Sequence, residues 1–127
     1  GKTVRYWQVG AEDALKVADQ LFEAESYHYA LFFGHLALEK ILKALVVSVT
    51  HEHAPYTHNL KQLSERAGLV LDEQAVGFLA EAFRFNLETR YPNDIEALRQ
   101  KYNKKFSAET LSYMKLLYRL WQAKIQL

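Results

Sequence analysis

The stretch that decides the fold runs from residue 27 to residue 49 and reads YHYALFFGHLALEKILKALVVSV. It is apolar on nearly every side of a helical projection, and Ser26 stands directly before it as a candidate N-cap. A helix that is hydrophobic all round is stable in water only when other elements surround it. The sequence therefore predicts a long helix over residues 27–49 at the centre of a helical bundle.

Helical periodicity continues on both sides of this stretch, and the two prolines of the chain fall in its gaps. Gly68 suits the left-handed position after a helix, and Pro92 steers the residue before it away from helical backbone. Residues 93–106 are polar and basic, and they predict a surface loop with one helical turn at residues 95–98. The remaining helices are expected from near Gly10 to residue 25, at residues 59–67 and 72–91, and from residue 108 onward. Short connections favour an all-α fold, an up-and-down antiparallel bundle of four long helices plus one short helix.

Length and composition limit the class of protein. With 127 residues, half of them hydrophobic, the chain is expected to form a single domain over residues 1–127 with its own core. It has no cysteine, which excludes disulfides, thiolate metal sites and thiol nucleophiles. Its longest apolar runs are far shorter than the roughly 20 residues that span a bilayer. A cytoplasmic location is therefore the default expectation.

Charge is distributed unevenly along the chain. Residues 1–98 carry 9 basic and 14 acidic side chains, a balance of −5, whereas residues 99–127 carry 7 basic and 1 acidic, a balance of +6. Such an asymmetry can mark a nucleic-acid-binding face or a surface for an acidic partner. A basic last helix can equally complement acidic neighbours within the same bundle, so both interpretations stay open.

Four polar residues interrupt the central stretch at helical spacing: His28, His35, Glu39 and Lys43. At about 100° per residue they fall within about 80° of one another, so they form one stripe along the helix. The simpler interpretation makes this stripe the solvent-exposed edge, with Glu39 and Lys43 as a surface ion pair. In the alternative, the stripe forms one wall of a polar groove or of a subunit interface.

Two further groups of polar residues are candidates for a site. His51, His53 and His58 lie in the loop after the central helix, but no set of ligands at zinc-site spacing accompanies them, and no metal is expected. Arg90 and Tyr91 end the fourth helix. The helix dipole explains an arginine there, and the same guanidinium is suited to binding phosphate or carboxylate in a bidentate manner.

Three short motifs follow one another along the chain: the run from Tyr27 to Leu45, then Thr57-His58-Asn59-Leu60, then Thr89-Arg90-Tyr91-Pro92. Together, in this order, they resemble the HEPN domain (higher eukaryotes and prokaryotes nucleotide-binding domain). The resemblance implies a bundle like the substrate-binding helical domain of kanamycin nucleotidyltransferase, often dimeric. It also implies a minimal nucleotidyltransferase as partner, in a two-component or toxin–antitoxin pair. The recurrent polar positions of the family, where a ligand would bind, correspond to His35, Glu39, Lys43, His58, Arg90 and Tyr91.

Many relatives in that family are metal-independent ribonucleases with the motif Arg-x4-6-His, and this sequence departs from it. Every histidine lies at or before position 58, and the only arginine upstream of any of them is Arg5, 23 residues before His28. The motif supplies both the group that activates a hydroxyl and the group that stabilises phosphate charge. Its absence disfavours ribonuclease activity.

The sequence accordingly predicts a non-catalytic subunit without cofactor or metal. The subunit is expected to form a homodimer, to pair with a nucleotidyltransferase, and to bind a nucleotide or the transferase substrate in a polar groove. The alternatives are a metal-independent ribonuclease toxin and a purely structural dimer or interaction module.

Overall fold

The computed structural model describes residues 2–90 and 94–125, without the side chains of residues 2, 83, 85, 86, 89 and 90. Within this part the chain forms helices and no strand, which confirms the predicted all-α bundle. The helices are α1 Lys2–Glu23, α2 Tyr27–Thr50, α3 Leu60–Arg66, α4 Glu73–Arg90, α5 Ile95–Lys101 and α6 Lys104–Gln122.

The central position predicted for the apolar stretch is confirmed, because α2 contacts every other helix. Its side chains between Ala30 and Val46 include most of the fully buried residues of the core, among them Leu31, Leu38 and Ile41. Burying a leucine or isoleucine contributes roughly 1.5–3 kcal/mol each, so this helix organises the packing of the others. None of the described helices is both long and apolar enough to cross a membrane.

The first helix is longer than the sequence suggested. It begins at Lys2, and Val4, Gln8 and Ala11 continue its buried face at helical spacing on both sides of Gly10. Gly10 lies inside the helix because α1 passes close to α2 there: an added Cβ would come within 3.1 Å of the Lys40 side chain. The predicted start near Gly10 was wrong, since this glycine serves close helix packing and does not end a helix.

The helices α1 and α2 form an antiparallel hairpin. Trp7, near the start of α1, lies beside Lys43 in the second half of α2, whereas Phe22, near its end, packs against Tyr27. The connection is only Ala24–Ser26, and Glu25 takes the left-handed backbone conformation with φ 63°. This tight turn places the whole length of α1 against the central helix.

The helices α4 and α6 are also antiparallel, but they stand apart. The ring of Phe78 meets Tyr113 edge-on at 5.0 Å, and ten residues later Glu88 binds Lys101 just before α6 begins. Between these two contacts a groove of about 560 Å³ separates the helices. The four long helices therefore alternate in direction, with α4 held mainly by α2 and α3.

The basic segment after α4 is more helical than predicted. In place of a loop with one helical turn, the chain forms the short helix α5 and then starts α6 at Lys104, before Ser107. Asp94 accepts hydrogen bonds from the N–H groups of Glu96 and Ala97, and Asn103 accepts one from Phe106. These are N-caps of the preferred residue types, and the high polarity of the segment concealed them in the sequence.

Candidate functional site

Most of the polar stripe on α2 is buried. His35, Glu39 and Lys43 retain only 1%, 4% and 7% of their accessible surface. The interpretation as a solvent-exposed edge was wrong for these three, because α1 covers the stripe from one side and the segment before α3 covers it from the other. The three side chains form a polar cluster inside the bundle that reaches the surface at His58. The alternative, one wall of a polar groove or of a subunit interface, stays a prediction.

Glu39 is the centre of this cluster. Its Oε2 accepts a hydrogen bond from Lys43 Nζ at 3.3 Å, and its Oε1 accepts one from His58 Nδ1 at 2.9 Å. The four-residue spacing on α2 supplies the first contact. Lys43 also lies 5.1 Å from the ring centroid of Trp7, a cation–π geometry that provides a second favourable contact for a buried ammonium.

The turn before α3 brings His58 to Glu39. Thr57 Oγ1 accepts a hydrogen bond from the N–H of Asn59, and the Asn59 side chain caps α3 by accepting from Gln62. These two local bonds fix the backbone on both sides of His58. The histidine is consequently held in place although it comes 19 residues after Glu39 in the chain.

His58 connects the buried cluster to the surface. Its side chain is 60% exposed, whereas the Glu39 side chain is 5% exposed. A carboxylate that accepts the Nδ1 proton selects the tautomer in which Nε2 carries a free electron pair. The arrangement therefore presents an oriented ring nitrogen to solvent, which can accept a proton or a hydrogen bond from a bound molecule.

His35 is the most enclosed member of the cluster. Among the described residues its Nε2 has no hydrogen-bond partner. Burial lowers the pKa of His35 to about 4; the negative charge of Glu39 opposes this shift and His58 adds to it. The imidazole is therefore neutral at neutral pH, and its role there is packing and polarity, not charge.

Acidification is expected to weaken the fold through His35. Its pKa is about 4 in the folded protein and 6.5 when exposed, so between these values the unfolded chain binds a proton that the folded chain does not. The free energy of unfolding is unaffected by His35 above about pH 6.5, and it decreases by about 3 kcal/mol as the pH falls to about 4. Urea unfolding across this range tests it. His35→Leu should flatten the pH dependence by that amount, and an unchanged slope would contradict the assignment.

His28 lies apart from the Glu39 cluster. It faces a cavity at the opposite end of the bundle, where partial burial and the positive charge of Arg99 lower its pKa. His28 precedes Glu39 by eleven residues, about 16 Å along an α-helix. The predicted stripe is thus divided between two places in the molecule.

The prediction that Arg90 and Tyr91 bind a ligand concerns side chains outside the described part of the chain, which includes only the backbone of Arg90 at the end of α4. The position of that helix end is nevertheless clear. Glu88 binds Lys101 and the hydroxyl of Tyr102, and Tyr102 lines the same cavity as His28. The last turn of α4 is therefore near the start of α2 and does not lie beside His58.

The link between Glu88 and α5 was not foreseen from the sequence. Tyr102 donates to Glu88 Oε2 at 2.6 Å and Lys101 Nζ donates to Oε1 at 2.8 Å. Partial burial alone would raise the pKa of Glu88, but these hydrogen bonds outweigh it and lower the pKa. The contact fixes α5 against α4, and the local sequence of either helix contains no signal for it.

The sequence did not predict a surface cavity whose lining includes Thr57, the residue before His58. Its volume is about 450 Å³, and its lining comprises Pro55, Tyr56, Thr57, Gln62, Glu65 and Arg66. The ring of Tyr56 is fully exposed, which is unusual for a large aromatic side chain. The sequence feature that could have indicated this cavity is a tyrosine directly after a proline in a polar loop.

The other loop histidines take no part in the cluster. His51 ends α2 in the left-handed conformation, with its N–H bonded to Val47 O, and His53 is exposed. In the part of the chain that the structure describes, no three histidine, aspartate or glutamate side chains are grouped so that they could hold a metal ion.

The fold and the site define a class of protein: a helical bundle whose central helix carries a buried carboxylate bound to a surface histidine. Comparison with protein families then identifies the family. The chain matches the model of the HEPN domain over residues 4–124, and it therefore belongs to the HEPN domain family. The comparisons with curated proteins and with solved structures give no match.

Proposed function

We propose that this chain is a non-catalytic HEPN subunit that pairs with a minimal nucleotidyltransferase and binds a nucleotide, or the transferase substrate, at His58. Membership of the family supports a role related to nucleotides or RNA, or one of the toxin–antitoxin type. The observation that carries the finer proposal is the hydrogen bond between Glu39 and His58. This bond fixes the orientation of the His58 ring. An exposed imidazole is already hydrated by solvent, so its own stability does not require a buried carboxylate.

The surroundings of His58 suit a nucleotide. The cavity lined by the preceding residue, Thr57, offers the exposed ring of Tyr56 for stacking on a base and the guanidinium of Arg66 for a phosphate. Arg66 contacts Glu52 at 3.7 Å, with both side chains largely exposed. An exposed pair of this kind contributes little, so a phosphate can replace the carboxylate at small cost.

Two observations support binding without catalysis. The chain lacks the family's Arg-x4-6-His motif. The end of α4, where Arg90 lies, is beside the start of α2 and about 16 Å from the level of Glu39. The backbone of Arg90 therefore lies away from His58, and the arginine that lines the adjoining cavity is Arg66.

Calorimetry with ATP, GTP, CTP, UTP and the corresponding monophosphates tests the ligand. We expect saturable binding of at least one of them, weakened by up to about tenfold in His58→Ala, because a hydrogen bond from a base N–H or a ribose O–H to Nε2 contributes about 0.5–1.5 kcal/mol. His53→Ala is the matched control, an exposed histidine of the same loop, and it should bind like the parent protein. Absence of heat with every nucleotide, or equal losses in the two variants, would refute the assignment of His58.

The partner and the assembly have separate tests. A reading frame for a minimal nucleotidyltransferase beside this one is expected, and the two proteins should copurify through a tag on the transferase. The proposed homodimer should elute with twice the 14.8 kDa mass of one chain in light-scattering chromatography. A monomer that fails to bind the transferase would leave the His58 proposal standing and remove the pairing.

The Glu39–His58 pair also favours a second candidate, the metal-independent ribonuclease. A carboxylate-oriented imidazole is the arrangement used by general bases. Under this candidate the purified protein cleaves RNA in the presence of a chelator, and both His58→Ala and Glu39→Gln abolish the cleavage. Intact RNA after incubation with the parent protein eliminates it.

A further inference from the structure

A second cavity, of about 690 Å³, lies at the other end of the bundle, where the turn between α1 and α2 meets the turn between α5 and α6. The Glu39 cluster has no part in it. The lining consists of residues 24–29 from the first turn together with Arg99, Tyr102, Asn103 and Lys104. Ligand-binding cavities typically have about 300–1,000 Å³, so this one is large enough for an organic molecule.

Basic side chains converge on this cavity. Arg99 and Lys104 both line it, and neither forms an ion pair with any described residue. His28 lies close enough to Arg99 for the guanidinium to contribute to lowering its pKa. Among the described lining residues Glu25 is the single acid, and its side chain is exposed. The described lining therefore carries two cations against one carboxylate, and no ion pair with a described residue neutralises the cations.

The start of α2 adds to the positive potential of this cavity. Ser26 occupies the N-cap position, but its hydroxyl makes no capping hydrogen bond, contrary to the expectation from the sequence. The first N–H groups of a helix have no partner within it, and here no side chain of the cap satisfies them. Arg99 and Lys104 remain the principal positive groups of the cavity.

We infer that this cavity binds the phosphoryl group of a small organic phosphate, with Arg99 and Lys104 as its ligands. The planar guanidinium matches a phosphate in a bidentate manner, and the lysine supplies a second positive charge. Tyr27 and Tyr29 offer apolar ring surface on the same wall for the organic part of the molecule.

This inference is independent of the proposed function. Glu39 lies about 16 Å further along α2 than His28, and His58 contacts Glu39 from the turn before α3. A variant at one site therefore leaves the other intact, and the two hypotheses can fail separately.

Titration of the full chain, followed by amide NMR shifts and calorimetry at low ionic strength, tests the site. The probes are inorganic phosphate, ribose 5-phosphate, AMP and adenosine, with sodium chloride at equal ionic strength as the blank. We expect the three phosphates to shift the amides of residues 26–29 and 103–105, and Arg99→Ala to weaken their binding about tenfold or more. Lys105→Ala is the matched control, an exposed neighbour outside the lining, and it should change the affinity less than twofold.

The pattern among the probes identifies the source of the phosphoryl group. Equal affinity for all three phosphates supports recognition of the phosphoryl group alone, and a preference for ribose 5-phosphate or AMP supports a sugar phosphate or a nucleotide. His58→Ala should bind all three as the parent does at this site. Adenosine binding as tightly as AMP, Arg99→Ala binding like the parent protein, or no saturable shift with any phosphate would overturn the inference.

Discussion

Replacing Glu39 with leucine is expected to destabilise the protein by about 3–5 kcal/mol, because the change leaves a buried ammonium without its carboxylate. Lys43 keeps only 7% of its accessible surface, and Glu39 is its one hydrogen-bond acceptor among the described residues. The contact with Trp7 remains but does not replace a charge. Chemical denaturation of the single variant measures the loss.

A double variant distinguishes the net contribution of the ion pair from the cost of leaving Lys43 without its carboxylate. Replacing a buried ion pair by apolar side chains of similar size is often neutral or stabilising, so Glu39→Leu with Lys43→Leu should return to within about 1 kcal/mol of the parent. The surface pair Glu12–Lys16, at 3.7 Å with both side chains exposed, is the matched control. Glu12→Leu should change stability by less than about 1 kcal/mol. A Glu39→Leu loss no larger than this would show that Lys43 is not buried with its charge.

Gly34→Leu is expected to cost about 3 kcal/mol or more, because α6 packs directly against the backbone of α2 at this residue. An added Cβ would overlap Sδ of Met114 and reach Leu111 at 3.4 Å. Met114 is itself fully buried, so a displaced thioether must repack within the core together with the added leucine. The free energy of unfolding in urea gives the cost.

Gly77→Leu is the matched control for this change. Gly77 also lies within a helix, but no atom stands within 4 Å of an added Cβ. Leucine favours helical backbone over glycine by somewhat less than 1 kcal/mol, so this variant should be slightly more stable than the parent. Equal effects at the two glycines would mean that α6 does not pack closely against α2.

The fold was predictable where one signal dominated. A helix hydrophobic on all sides has only one stable environment, and the central position of α2 followed from that fact alone. The start of α1 was not predictable, because Gly10 has the appearance of a helix end unless its close approach to Lys40 is known. Likewise, the caps Asp94 and Asn103 are common polar residues whose role appears only with the helices they begin.

The site was predictable only within α2. The contact between Glu39 and Lys43 follows from helical spacing, but its burial does not, since the sequence does not tell which side of the helix α1 covers. The bond to His58 depends on a turn 19 residues away. Ligand binding by these residues, and by Arg90 and Tyr91, stays a prediction.

The three-residue turn between α1 and α2 has a consequence for how the chain folds. Among the described residues, the largest helix–helix contact joins two segments that are neighbours in sequence, so closing it costs little chain entropy. We expect the α1–α2 hairpin to form first and α6 to dock on it later, across a gap of more than fifty residues. Chains dominated by such local contacts cross their folding barrier in microseconds to milliseconds. The contact of Lys43 with Trp7, which belongs to this hairpin, would thus form before Met114 of α6 packs against Gly34.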